Sequence, residues 1–210
     1  MATLYKEGSR GEVVRQIQKA LRLYPDGIWG PLTTERVREF QRERGLKDDG
    51  IVGPATLAKL LPGVAKSALG LKKSRRNIKE IIVHCTATPE YRDYTVADIR
   101  QWHKLQGWSD IGYHYVVYRD GTVHEGRDVD ISGAHCTGHN ANSIGVVYVG
   151  GVAPDGKTPK DTRTDLQKAA LLSLLLDLRK LYPQAEIHGH RDFANKACPS
   201  FDATKEYRKV

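Results

Sequence analysis

Long apolar runs are missing from this chain of 210 residues. None approaches the roughly 20 residues that a bilayer-spanning helix needs, so membrane insertion is not expected. The opening Met1-Ala2-Thr3-Leu4-Tyr5-Lys6-Glu7 lacks the basic stretch followed by an apolar one that marks a secretory signal. Cysteine is scarce too. Cys85, Cys136 and Cys198 are an odd, sparse set that makes no disulfide framework and fits synthesis in a reducing compartment.

What is present describes a globular chain: 40% hydrophobic and 28% charged residues. Its length suits one medium domain, or a small and a medium one. The net charge of +8 is unevenly placed. Residues 1–76 hold sixteen basic and eight acidic side chains, whereas 77–210 hold seventeen of each. Lys72-Lys73-Ser74-Arg75-Arg76 supplies four of the positive charges. Such a basic half suits an anionic partner (nucleic acid, a membrane surface or an acidic wall polymer) or is simply a solvated surface with a basic linker.

The N-terminal part repeats itself. Asp26-Gly27-Ile28-Trp29-Gly30-Pro31-Leu32-Thr33 returns as Asp49-Gly50-Ile51-Val52-Gly53-Pro54-Ala55-Thr56. Asp-Gly forms a tight turn, the next two apolar residues can pack inward, and Pro opens a helix where its missing N–H costs nothing. Helical spacing puts Val13, Val14, Ile17, Ala20 and Leu21 on one face of a first helix. Val37 and Phe40 mark a second, and Leu57, Leu60 and Leu61 a third. Residues 8–62 resemble the three-helix peptidoglycan-binding module of bacterial and phage wall hydrolases, the doubled D-G-I-x-G-P-x-T being the specific part.

Pro62-Gly63 ends the helical pattern and the basic cluster follows as linker. Beyond it the texture is mixed. Ile81–His84 reads as a buried strand, and Thr95 caps a helix running to about Gly107, with Asp98 completing a capping box. Tyr113–Arg119 and Thr122–Glu125 flank the turn Asp120-Gly121 as a hairpin. Ser143–Val149 is an apolar strand, Thr164 opens a long helix to about Tyr182, and Ala185–His188 is a last short strand. The expected class is α/β (α+β): a mixed central β-sheet flanked by helices, preceded by a small three-helix domain. The expected boundaries are 1–62, a basic linker 63–77, and 78–210.

The last strand leads into His188-Gly189-His190-Arg191-Asp192-Phe193-Ala194-Asn195-Lys196-Ala197-Cys198-Pro199. This loop offers imidazole, ammonium and thiol, and His84 offers a second imidazole from far upstream. Two His and one Cys are ligand types that Zn²⁺ favours, and three protein ligands leave one position open, the mark of a catalytic site. Cys85 follows His84 on a strand, so it faces the other way and is expected as a small buried hydrophobe. His103, on the Thr95 helix, is expected to pack rather than ligate. Trp102 and Trp108 are expected in core or groove wall.

Five ordered segments carry a resemblance: V-H-C-T-A-T from Val83, I-R-Q-W-H-K-L-Q-G-W-S-D-I-G-Y-H-Y from Ile99, R-D-G-T-V from Arg119, G-A-H-C-T-G-H-N-A-N-S-I-G-V from Gly133, and G-H-R-D-F-A-N-K-A-C-P-S-F-D from Gly189. Residues 78–208 resemble the type 2 zinc-dependent N-acetylmuramoyl-L-alanine amidases, which share their fold with peptidoglycan recognition proteins and phage lysozyme-like amidases. The resemblance implies His84, His190 and Cys198 as zinc ligands, with His188 the rival that matches no ligand position. It implies Tyr113 and Lys196 as catalytic residues and Zn²⁺ as cofactor. His135 and Asn142 fall in the segment that lines the substrate groove in relatives; as residue types they also serve as loop hydrogen-bonders. Asp192 is either a partner of the ligand His190 or a loop fastener.

The resemblance further implies cleavage of the amide between N-acetylmuramic acid and the L-alanine of the stem peptide. Peptidoglycan would be both substrate and anchor, with a monomeric enzyme and no nucleic-acid partner. A modular phage endolysin is the expected setting. It would be made in the host cytoplasm without a signal peptide and reach the periplasmic wall through a holin. The alternatives are a non-catalytic peptidoglycan-binding protein, against which Cys198, Tyr113 and Lys196 speak; a bacterial autolysin or recycling amidase; and a nucleic-acid binder through residues 66–76.

Overall fold

The computed structural model describes residues 4–61 and 70–210. Residues 1–3 and 62–69, which include the expected stop at Pro62-Gly63 and part of the linker, lie outside the described residues. Helices α1 (Glu12–Ala20), α2 (Pro31–Glu43) and α3 (Pro54–Leu60) form the N-terminal bundle, with a Pro in the first turn of α2 and of α3. Val14, Ile17, Leu21, Trp29, Val37, Val52, Leu57 and Leu60 make its core. Ala20, expected on the apolar face of α1, is exposed, whereas the polar Gln18 of the same helix is buried.

That glutamine explains the repeat. Gln18 Nε2 donates to Asp26 Oδ1 (2.8 Å) and to the Ile28 carbonyl (3.0 Å), while its Oε1 accepts from Gly27 N (2.8 Å). Gln41 does the same one unit later, to Asp49 Oδ1 (3.2 Å), the Ile51 carbonyl (2.9 Å) and from Gly50 N (2.9 Å). A buried amide with its donors and acceptor satisfied is stable; left unpaired it would cost about 1–3 kcal/mol. Gly27 and Gly50 take φ of +77° and +71°, so the turn needs glycine at both places. The repeat therefore reaches back to a helical glutamine, at the same 23-residue offset as the Asp-Gly pairs.

The rest is built on one mixed sheet. In chain order come β1 (Glu80–Cys85), β2 (Thr88–Pro89), α4 (Val96–Leu105), β3 (Tyr115–Val117), β4 (Val123–Glu125), β5 (Ser143–Tyr148), β6 (Gly151–Val152), α5 (Asp165–Leu181), β7 (Glu186–Gly189) and α6 (Ala203–Tyr207). The sheet order is β4-β3-β5-β1-β7, with β2 and β6 forming a separate pair. Only β3 and β4 pair antiparallel in the main sheet. Thr95 and Thr164 cap α4 and α5, each in a reciprocal capping box. The hairpin strand is shorter than expected: β3 starts at Tyr115 because the 113–114 backbone bonds Gly126 and Arg127 instead of a regular ladder.

The two sheet faces bury different sets. Ile81, Val83, Cys85, Val146 and Tyr148 meet Ala170, Leu171, Leu174, Leu175 and Leu178 of α5. Val116, Val147 and Val149 lie on the other side with Ile99 of α4 and Ile111. The first turns of α5 have a second neighbour. Leu166 and Ala169 belong to the N-terminal core with Leu57, Leu60 and Leu61, and the Tyr5 hydroxyl donates to Asp165. The basic stretch is also occupied: Lys72 pairs with Asp130 (2.7 Å), Ser74 N donates to the Tyr182 hydroxyl (2.6 Å), and Arg76 Nε donates to the Val129 carbonyl (2.7 Å). Among the described residues no helix is long and apolar enough to cross a membrane.

Candidate metal centre

Register brings the first two candidate ligands together. Strands β1 and β7 are parallel neighbours with Val83 opposite Gly189, so His84 and His190 leave the sheet side by side at its carboxyl ends. Their ring centroids are 4.6 Å apart. The loop after His190 then returns. Arg191 N donates to the Cys198 carbonyl (2.7 Å), and Cys85 N donates to Cys198 Sγ (3.3 Å). Cys198 Sγ lies 3.7 Å from His84 Nδ1. One donor atom from each of His84, His190 and Cys198 falls within 4.8 Å of the other two.

This donor set fits Zn²⁺: two imidazoles and a thiolate, with one position left for water or substrate. The electrostatics favour neutral imidazoles, the form a metal requires. Burial, then the neighbouring His135 and His190 rings and the Lys196 ammonium, hold His84 well below the usual imidazole range. Burial and Lys196 do the same for His190. The Cys198 thiol is pushed up by its hydrogen bond with the Cys85 thiol and by burial. A bound cation reverses that, since a coordinating thiol gives up its proton outright.

The other expected residues divide. The Tyr113 ring stands 5.1 Å from that of His84, and burial raises its pKa, so the hydroxyl keeps its proton. Lys196 is exposed at the rim, and its charge is felt at both His84 and His190. His188 stays outside the ligand group, against Glu186 Oε2 (3.2 Å) and the Phe193 ring. Asp192 fastens the loop, accepting from Gly189 N (2.8 Å) and the Thr204 hydroxyl. Asn142 donates to the Asn77 carbonyl (2.8 Å), a link between segments. His135 lies beneath His84, its Nδ1 3.1 Å from His84 Nε2. Cys85 is buried in the α5-side core. His103 is a packed helix residue whose Nδ1 accepts from Gly112 N (2.9 Å), next to Tyr113. Trp102 packs on Tyr94, and Trp108 packs at a tilt on His103 while remaining partly exposed.

Sequence reasoning missed the supports. Arg127 is buried and holds the 110–113 loop, donating to the carbonyls of Ile111 (2.7 Å) and Ser132 (2.7 Å). Asn140 Oδ1 accepts from His135 N (2.8 Å) and Cys136 N (2.9 Å). Phe193 packs at a tilt on His139, helping to hold the loop that carries Lys196. None of these has a signal in spacing or periodicity, because each acts on backbone brought near by the fold.

Known proteins match both parts of the chain. The family described as "N-acetylmuramoyl-L-alanine amidase" matches residues 74–201, and that described as "Putative peptidoglycan binding domain" matches 10–60. The endolysin of Klebsiella phage KP32 is 47% identical over 64% of this chain and 89% of its own length. The endolysin of Escherichia phage T7 is 46% identical over 65% of this chain and 90% of its own. Among solved structures, the endolysin amidase LysCS from Clostridium intestinale URNW superposes with a TM-score of 0.55 at 27% identity, covering 67% of this chain and 90% of that one.

Proposed function

The chain belongs to the N-acetylmuramoyl-L-alanine amidase family, and from that premise we propose that His84, His190 and Cys198 hold a catalytic zinc beside Tyr113 and Lys196. The protein is a peptidoglycan amidase acting as a phage endolysin. The observation that carries the zinc reading is the convergence of two imidazoles and a thiol from two segments far apart in the chain. Bound there, zinc would supply Lewis-acid polarisation of the scissile carbonyl and an acidified water. Lys196 places a positive charge where the tetrahedral oxyanion develops. The protonated Tyr113 hydroxyl donates a hydrogen bond into the same space. Its neighbours His103 and Arg127 hold the loop that presents it.

The division of labour in this reading is wall binding by 1–62, connection by 63–77 and hydrolysis by 78–210. The enzyme acts as a monomer, after a holin passes it from host cytoplasm to wall. Outer-membrane-stripped Gram-negative sacculi, digested and examined by mass spectrometry, test it. Stem peptides beginning at L-Ala with intact glycan strands are expected, and Cys198→Ser is expected to lose zinc and activity together. Lys196→Ala and Tyr113→Phe are each expected to lower kcat about 10²-fold with zinc retained. Sacculi bound without peptide release would point instead to a non-catalytic recognition protein.

A further inference from the structure

We propose that His135 is a positioning residue for the ligand His84, through a buried His84–His135–Ser143 relay, and not a substrate contact. The inference rests on the reading that His84 is a zinc ligand. His84 Nδ1 is the nitrogen turned toward Cys198 Sγ, at 3.7 Å. Its other nitrogen, Nε2, is 3.1 Å from His135 Nδ1. A neutral imidazole that offers the Nδ1 lone pair to a metal must carry its proton on Nε2. That N–H donates to His135 Nδ1, which puts the His135 proton on its own Nε2. There it meets Ser143 Oγ at 3.3 Å. One choice of tautomer thus satisfies every ring nitrogen in the line.

The surroundings are shaped for this ring. His84 and Ser143 are fully buried and His135 is 8% exposed, too little to present a face to a polymer. A Cβ on Gly133 or on Gly145 would lie 2.4 or 2.5 Å from His135 Cδ2, so two glycines make the slot. The Asn140 side-chain oxygen Oδ1 accepts from His135 N and fixes its backbone. A partner on the remote nitrogen sets the orientation and basicity of a metal-bound imidazole, and its loss typically costs 10–100-fold in metal affinity or activity.

The test measures Zn²⁺ affinity of the full-length protein by competition with a chromophoric chelator, beside kcat and KM on sacculi. His135→Phe keeps an aromatic ring but accepts nothing. It is expected to weaken Zn²⁺ binding about 10–100-fold and lower kcat with KM little changed. His135→Asn can place its Oδ1 near the old Nδ1 and is expected to restore most of the affinity. Should His135→Phe fail to fold by circular dichroism, His135→Asn set against His135→Ala gives the same comparison. Raised KM with unchanged Zn²⁺ affinity would overturn the proposal in favour of a substrate contact. Unchanged affinity and kinetics would overturn it also. Cys198→Ser separates the underlying reading: if that variant still binds Zn²⁺ as wild type does, the ligand assignment has failed first.

Discussion

His114 makes both of its ring hydrogen bonds as a neutral side chain. Its Nδ1 accepts from Gly145 N (2.9 Å), so its proton sits on Nε2 and points to the Ile131 carbonyl (3.1 Å). Burial is the main reason its pKa falls to about 4. The unfolded ring takes its proton near the ordinary value of about 6.5. Between those values the unfolded chain binds more protons, so stability is full above 6.5 and is lost as pH falls toward 4. The depressed value corresponds to a loss of about 3 kcal/mol at most. Urea unfolding of the metal-free protein at pH 7 and pH 4.5 checks this. His114→Asn is expected to shrink the difference between the two pH values; an equal difference would assign the effect to His84, His135 and His190, which burial also holds down. Little of this was readable in the chain. His114 stands beside Tyr113 in a recognisable segment, but only the fold brings Gly145 and Ile131 to it.

Elements with local signals were legible. Thr95 and Thr164 opened their helices because a capping box needs only four consecutive residues. The Asp-Gly turns were legible for the same reason, yet their glutamines were not, since Gln18 reads as an ordinary polar helix residue. Gln18→Ala and Gln41→Ala are each expected to lower stability by about 2 kcal/mol, by leaving a turn N–H and carbonyl unpaired. Denaturant melts of both variants would show it, and two neutral results would make the repeat a matter of turns alone. The pair β2–β6 and the five-residue α6 were missed, being too short for any period to show. α6 is held from outside: Arg163, 6% exposed, bonds Glu206 (2.9 Å), Asp161 (2.8 Å) and the Tyr207 hydroxyl (2.9 Å). Arg163→Met takes the guanidinium away from the buried Tyr207 hydroxyl and from the partly exposed Asp161 and Glu206 carboxylates, and is expected to destabilise by about 1–3 kcal/mol in the same assay. At the site, residue types were legible and adjacency was not, because His84 meets His190 only through the parallel register of β1 and β7.

At the scale of the molecule, α5 is the shared element. Its Leu171, Leu174, Leu175 and Leu178 serve the sheet, while Leu166 and Ala169 serve the N-terminal bundle. The two halves are expected to unfold in one calorimetric transition. Leu166→Glu puts a charge into the joint and is expected to lower the melting temperature and split the transition. Two transitions already present in the wild type would deny the coupling. On the reading of the N-terminal bundle as a wall anchor, an anchor joined this way has a span and not a radius. On a loose leash, every bond within reach of one landing could be cut in turn. With the grip and the blade in one piece, each landing presents a narrow choice of bonds, and the enzyme must let go to find the next. For such a tool a tighter grip slows the clearing of a wall, and the best anchor is one that releases about as often as the blade cuts.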